Sequence, residues 1–324
     1  MLAGFIPLLI LLAGYIYFDP FKVLGHYSSY SNPTVTPNRD YISTEMFIRN
    51  NPAYHYNSFV FGSSRTLAFK PAEWIQYLPA DARPFMFDAF GENVYGIYTK
   101  LRYLDSMQVP VKNAIILLCR NISFKKRPSS RLHLFIKDPR TSDETKTSFH
   151  LTFFKAYLNP IFLYQFYAYK LFGRKPFIPG YIEDRRMDFD TITNAMSFNN
   201  LEKEAAENPA VYYGRQQKEF YKRSGETTSA MQQITGDQLI WLKGIKQILE
   251  KQHSNYKIVL SPLYEQVKFN DADMLLLRQL FGNNVYDFSG KNQFTDAITN
   301  YYESRHFRPK VGDAILKIIY AAQP

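Results

Sequence analysis

Cysteine is almost absent from this 324-residue sequence: Cys119 is the single instance, so no disulfide can form within the chain. The six histidines have no cysteine cluster beside them, and the spacing of a Cys/His zinc site is missing. We therefore expect neither a metal nor any other cofactor. Cys119 ends an apolar run, where a lone cysteine usually serves as a small core side chain.

Acidic residues are outnumbered, with 29 Asp and Glu against 39 Lys and Arg, which gives a net charge of +10. A positive balance of this size favours nucleic acid, anionic lipid or an acidic polymer as a partner. The basic residues are scattered and form no nucleic-acid recognition motif. We therefore expect no nucleic-acid partner, which leaves membrane lipid and polymers.

Charged residues are missing from Leu2 to Phe18, a run of about seventeen residues near the shortest length that spans a bilayer. A cleaved signal peptide and a buried helix are the alternatives. No small-residue cleavage site follows the run, whereas Tyr15 and Tyr17 suit a membrane interface. The sequence thus predicts a transmembrane anchor at residues 1–18, followed by a polar connecting strap over residues 19–56.

From residue 57 onward, short apolar runs alternate with helical patterns, which is typical of a parallel α/β sheet with right-handed crossovers. The predicted strands are 58–61, 84–88, 114–118, 257–261 and 284–288. The predicted helices lie near 92–106, 237–252, 271–281 and 310–321. This pattern predicts one α/β domain over residues 57–324.

Residues 124–236 interrupt the alternation and predict a largely helical insertion. Its stretch 149–172 is rich in Phe and Tyr and carries Lys155 and Lys170 but no acid. Such a stretch either caps the core or lies on a membrane or a partner. Residues 184–225 are charged, and we expect them to be mainly loop.

Two hydroxyl residues, Ser63 and Ser64, follow Gly62 at the end of the first predicted strand. Open α/β sheets place their active sites at the carboxyl ends of the strands. Near the C-terminus, Glu303 and His306 are three residues apart, so one tight turn brings a carboxylate to an imidazole. A carboxylate that orients an imidazole, which in turn deprotonates a serine, is the arrangement of a catalytic triad.

On these residues the sequence resembles the SGNH (GDSL-like) hydrolase superfamily, in its membrane-anchored branch similar to the lipoteichoic-acid D-alanylation protein DltD and the alginate-acetylation proteins. Gly62-Ser63-Ser64 resembles the family's Gly-Asp-Ser block, with Ser64 as nucleophile. Glu303-x-x-His306 resembles the Asp-x-x-His block, with Glu in place of Asp. The resemblance covers about residues 55–122 and 237–320.

Two weaker blocks of the same family are also recognisable. Phe87 to Asn93 resembles the glycine block, which makes the Gly91 amide an oxyanion donor. Cys119-Arg120-Asn121 resembles the Gly-x-Asn block, which makes Asn121 the side-chain donor; Asn93 is the rival for that contact. Arg65, next to Ser64, is either solvated or a contact for an anionic substrate.

The resemblance implies an SGNH-like, flavodoxin-like fold and an extracytoplasmic domain in the cell envelope. It implies a serine esterase or O-acyltransferase that acts on an envelope glycan or polymer through Ser64, His306 and Glu303. The alternative is a catalytically inactive scaffold that binds a polymer or a membrane-bound O-acyltransferase.

Overall fold

The computed structural model describes residues 6–125, 132–173, 181–182, 186–223 and 229–321. Within them, a parallel sheet of five strands has the order β2-β1-β3-β6-β7. The strands are β1 (Ser58–Gly62), β2 (Pro84–Met86), β3 (Asn113–Leu118), β6 (Asn255–Leu260) and β7 (Val285–Asp287). Each overlaps one predicted strand, so the predicted parallel α/β sheet is confirmed.

Alternating side chains of the strands build two cores, one on each face of the sheet, because successive residues of a strand point to opposite sides. Phe59 and Phe61 of β1 join the larger core, whereas Val60 joins the smaller one. The register aligns Val60 with Ile115 of β3, which lies on the same face. Burial on both faces explains why these strands are continuous apolar runs.

Helices cover both faces of the sheet. Among the described helices that contribute buried side chains to the larger core, four pack around the sheet: α2 (Arg39–Tyr54), α4 (Val94–Ser106), α10 (Gly236–Lys251) and α11 (Asp271–Phe281). Two helices line the smaller core: α3 (Pro71–Trp74) and α12 (Pro309–Ile319). The predicted helices near 92–106, 237–252, 271–281 and 310–321 are thereby confirmed.

Helix α2 lies in the segment expected to be a strap, and no helix was predicted there. Asn38 caps it by accepting a hydrogen bond from the amide of Tyr41. Its charged residues suggest a solvated segment, yet Arg39 and Asp40 are buried against charged partners. Much of residues 19–56 therefore belongs to the packed domain.

Helices are the main regular structure in the described part of the insertion, as expected. Its helices are α5 (Leu132–Phe135), α6 (Lys146–Tyr157), α7 (Pro160–Phe172), α8 (Asn199–Glu207) and α9 (Pro209–Gln216). A short antiparallel pair, β4 (Asp188–Phe189) and β5 (Met196–Ser197), lies between them. The expectation of a loop over residues 184–225 is wrong where α8 and α9 occur; residues 183–185 and 224–228 lie outside the described residues.

The aromatic stretch of α6 and α7 is divided between core and surface. Several rings are buried: Phe149, Phe153, Tyr157, Phe162 and Phe166. Other apolar side chains are exposed: Leu151, Ile161, Tyr164, Leu171 and Phe172. The stretch therefore both caps the core and presents an apolar surface.

The N-terminal run forms helix α1 (Ile6–Phe18); residues 1–5 lie outside the described part. Its C-terminal turn packs on the insertion, with the Tyr15 ring centroid 5.4 Å from that of Phe154 and 5.2 Å from that of Tyr157. Gly14 permits this approach, since a Cβ there would lie 2.6 Å from the Tyr167 hydroxyl. None of the described helices combines the length and apolar character needed to cross a membrane.

Candidate active site

Ser64 lies just beyond the carboxyl end of strand β1, where the backbone turns sharply. Gly62 has φ +147°, and a Cβ there would lie 2.8 Å from the Leu117 carbonyl oxygen, so a side chain does not fit. The chain then enters a 3₁₀ turn, Ser64–Ala68. Ser63 is fully buried, with its Oγ 3.4 Å from Cys119 Sγ, whereas Ser64 is partly exposed. The turn therefore presents Ser64 and hides Ser63.

Glu303 and His306 lie on a tight hairpin formed by β8 (Tyr301–Glu303) and β9 (His306–Phe307). A hydrogen bond joins His306 Nδ1 to Glu303 Oε1. The other carboxylate oxygen accepts a hydrogen bond of 2.6 Å from the Arg305 amide. Because both oxygens are engaged, the longer side chain of glutamate is held in one orientation against the imidazole.

The β8–β9 hairpin and the turn that follows β1 meet at the carboxyl end of β1. Ser64 Oγ lies 2.8 Å from His306 Nε2, within hydrogen-bond distance. The phenyl ring of Phe198 lies edge to face with the imidazole, 6.0 Å between centroids, and His306 as a residue is 9% exposed. The structure thus brings together Ser64, His306 and Glu303; their catalytic roles stay predictions.

Gly91 and Asn121, the two predicted oxyanion donors, lie together in the wall of one cavity. Gly91 has φ +61°, and a Cβ there would lie 2.8 Å from the Phe135 ring. Among the described residues, no acceptor binds the backbone amide of Gly91 or of Ser64. Both amides are therefore available as donors to an oxyanion.

Arg65 connects the parts of this site. Its Nε donates to the Arg305 carbonyl at 2.6 Å, and its Nη1 donates to Asn121 Oδ1 at 3.1 Å. A guanidinium has no acceptor, so it fixes the orientation of the Asn121 amide and directs Nδ2 away from Arg65. With 4% of its surface exposed, Arg65 is not solvated, which corrects the expectation of a solvated turn residue.

Asn93 is unsuited to be the oxyanion donor. Its Oδ1 accepts from the Gly96 amide and so caps α4, while its Nδ2 donates to the Lys125 carbonyl at 3.1 Å. Both ends of its amide are engaged in holding the loop. Between the two asparagines considered, the geometry favours Asn121.

A buried ionic cluster lies beneath the Gly91 loop, and sequence reasoning missed it. Lys100 Nζ lies 2.9 Å from Glu92 and 3.1 Å from Asp40, and Lys137 pairs with the same two carboxylates. Burial raises the pKa of Asp40, but the two ammonium groups outweigh this effect and lower that pKa to about 2. Glu92 follows Gly91 directly, so the cluster fixes the loop that carries the donor amide.

Two cavities flank Asn121. The larger, about 580 Å³, also contacts Gly91 and extends towards Trp241. The smaller, about 250 Å³, is lined by Arg65, Ser304 and Arg305, which adjoin the three central residues. Asn121 is therefore common to the linings of both cavities.

Metal ligands are not clustered in the part of the chain that the structure describes, where no three His, Cys, Asp or Glu side chains form a metal-binding group. Cys119 is a buried free thiol at the end of β3. In comparisons with known proteins, the chain matches no family model, and no curated protein shows significant similarity to it.

Proposed function

We propose that this chain is a serine esterase or O-acyltransferase that uses Ser64 as nucleophile. The observation that carries the proposal is the 2.8 Å contact of Ser64 Oγ with His306 Nε2, together with the hydrogen bond of His306 Nδ1 to Glu303. The SGNH-like resemblance agrees with this arrangement, since the three residues come from the blocks that carry its triad.

The hydrogen-bond chain supports a defined sequence of proton transfers. Glu303 accepts from His306 Nδ1–H, which leaves the Nε2 lone pair facing the Ser64 hydroxyl. As Oγ bonds to the ester carbonyl carbon, Nε2 takes the hydroxyl proton. The oxyanion receives hydrogen bonds from the Ser64 and Gly91 amides and Asn121 Nδ2.

Collapse of the tetrahedral intermediate breaks the ester C–O bond. The departing alcohol takes the proton from His306, and the acyl group stays on Ser64. Water, or a sugar or polyol hydroxyl, then attacks the acyl-enzyme while His306 again accepts a proton. The first acceptor yields hydrolysis and the second yields acyl transfer.

The test is turnover of an activated acetyl ester by the full chain and matched variants. Ser64→Ala and His306→Ala should each lower kcat by more than about a thousandfold. Glu303→Gln should also lower kcat, but by a factor that is about tenfold to a hundredfold smaller. Ser63→Ala is the matched control and should keep nearly full turnover, because Ser63 faces Cys119. If Ser64→Ala retains full biological activity in a folded protein, the catalytically inactive scaffold is the better account.

Acyl transfer is distinguished from hydrolysis by adding acceptors. The 250 Å³ cavity beside Arg305 offers space for an acceptor alcohol next to the acyl-enzyme. A transferase should yield acetylated sugar in proportion to added sugar, at the expense of free acetate. An unchanged acetate yield at saturating sugar would assign the protein to the esterases.

We also propose that the protein is held at a membrane, with its domain extracytoplasmic, where a membrane-bound O-acyltransferase is a suitable partner. The support is the apolar exposed side of α1: Ile6, Leu8, Leu9, Ile10, Leu12, Ile16 and Tyr17. The Nζ of Lys170 in α7 lies 5.6 Å from the ring centroid of Phe18, at the end of this surface. The full chain should sediment with phospholipid vesicles and resist a high-salt wash; release by salt would show that charge, rather than insertion, holds it.

A further inference from the structure

The larger cavity is placed to hold the substrate of the proposed reaction. Its volume of about 580 Å³ is in the range of pockets that bind small ligands, roughly 300–1,000 Å³. Gly91 and Asn121, the proposed oxyanion donors, form part of its wall. A molecule that fills the cavity therefore lies against the groups that would polarise its ester carbonyl.

One side of the cavity is aromatic. Trp241 of α10 and Tyr95 of α4 have ring centroids 5.2 Å apart with planes inclined at 57°, and Phe135 belongs to the same lining. Trp241 is partly exposed and belongs to the cavity lining, so part of its side chain is accessible to a ligand. Such rings offer a flat apolar surface together with a polar edge. A sugar ring matches this surface, because it has an apolar C–H face and a rim of hydroxyl groups.

The charged groups of the cavity disfavour an anionic ligand. Glu144 and Asp237 contribute two carboxylates to the lining, and Lys125 contributes a cation. Lys137 also reaches the lining, but its ammonium is paired with the buried carboxylates of Asp40 and Glu92. Among the described residues, the lining therefore has no surplus of positive charge for a phosphate or uronate polymer.

Gln238 adds a defined acceptor. Its Nε2 donates to the Phe124 carbonyl at 2.9 Å, which fixes the amide and leaves Oε1 on the other side. The hydroxyl groups of a ligand donate hydrogen bonds to carboxylate and amide oxygens, and the Lys125 ammonium can donate to a hydroxyl oxygen of the ligand.

We propose that this cavity binds an uncharged sugar ring of the ester substrate, with Trp241 as its stacking platform. The inference rests on the proposed function and narrows its substrate class from envelope polymers in general to neutral glycans. Binding and turnover can be tested separately, however, because Trp241 belongs neither to the proposed triad nor to the proposed oxyanion donors.

The chain provides its own reporter for a binding test. It has two tryptophans, and Trp74 is fully buried with its Nε1 donating to the Tyr320 hydroxyl at 2.9 Å. A ligand-induced change in emission is therefore expected to come from Trp241. The Ser64→Ala protein should be titrated with mono-O-acetylated cellobiose and, in parallel, with a digalacturonate of similar size.

We expect a saturable change in emission with the acetylated cellobiose, and this change should persist when Trp74→Phe is added to Ser64→Ala. By calorimetry, Trp241→Ala in the same background should weaken binding about tenfold or more, and Trp241→Phe should restore part of the affinity. Ile240→Ala is the matched control, since Ile240 is exposed on the same helix outside the cavity lining, and it should leave affinity unchanged.

Three results would overturn the proposal: no saturable binding of the neutral ligand up to about 20 mM, tighter binding of digalacturonate, or unchanged affinity in Trp241→Ala. Failure of the proposed function has a different signature. In that case Ser64→Ala still binds the neutral sugar through Trp241, while the unaltered chain does not cleave the ester.

Discussion

Replacing Arg65 by lysine should slow turnover while leaving substrate binding nearly intact. Arg65 spans two acceptors with a rigid guanidinium, the Arg305 carbonyl at 2.6 Å and Asn121 Oδ1 at 3.1 Å. A lysine ammonium is a point donor on a flexible stem and cannot hold this pair in one geometry. Asn121 then loses the partner that directs its Nδ2 towards the oxyanion.

The magnitude follows from what is lost. A hydrogen bond to a charged group contributes about 1.5–3 kcal/mol, so the variant should be destabilised by at most about that amount. Complete loss of one oxyanion donor lowers kcat by about 10²–10³-fold, and partial misorientation should lower it about tenfold to a hundredfold. KM should change little, because Arg65 does not line the larger cavity.

The assay is a double-mutant cycle on kcat with an activated acetyl ester, using Arg65→Lys, Asn121→Ala and the combined variant. Since Arg65 is argued to act through Asn121, the combined variant should be about as slow as Asn121→Ala alone. Thermal unfolding of each variant controls for loss of structure. The role of Arg65 in orienting Asn121 would be refuted if the two substitutions lowered kcat by independent, multiplying factors in the combined variant. It would also be refuted if Arg65→Lys had the same kcat as the unaltered chain.

Two further predictions concern the Gly91 loop and the charges beneath it. Gly91→Ala should lower the free energy of unfolding by about 1–2 kcal/mol, because φ is +61° and the new Cβ meets Phe135. The same substitution should lower kcat, because the Gly91 amide moves. Gly214→Ala is the control: this position lies in open space within α9, so the substitution should be neutral or slightly stabilising. Asp40→Asn should destabilise the protein near neutral pH by about 3–5 kcal/mol, as expected for a buried pair that loses one partner. Because the pKa of Asp40 is lowered from 3.8 to about 2, its stabilisation is present above about pH 4 and is lost as the pH falls through about 2, so the difference between the two proteins in urea unfolding should narrow over this range. A difference that is independent of pH, or a Gly91→Ala protein with full activity and stability, would contradict these expectations.

The sheet could be predicted from the sequence because its strands are buried on both faces. The runs 59–61, 114–118 and 258–260 are apolar at every position, and such runs between turn residues are recognisable without a structure. Helix α2 could not be predicted in the same way. Its buried Arg39 and Asp40 resemble a solvated surface until their partners on other segments are known.

The same distinction applies to the site. Ser64, Glu303 and His306 stand at or just beyond strand ends with a suggestive spacing, so their meeting could be anticipated. The contact of Arg65 with Asn121 joins residues 56 apart on separate turns, and no local pattern reports it. Sequence alone also left Asn93 and Asn121 as alternatives. The choice depends on hydrogen bonds to Gly96, Lys125 and Arg65 that exist only in the folded chain.

The most direct test of the account is the position at which a fluorophosphonate probe modifies the folded full-length chain. Peptide fragmentation by mass spectrometry separates an adduct on Ser64 from one on the neighbouring Ser63. We predict a single stoichiometric adduct on Ser64, absent from Ser64→Ala and from His306→Ala and retained in Ser63→Ala. No adduct on Ser64 of the folded protein, or labelling that survives His306→Ala at an unchanged rate, would contradict the claim that Ser64 is an activated nucleophile.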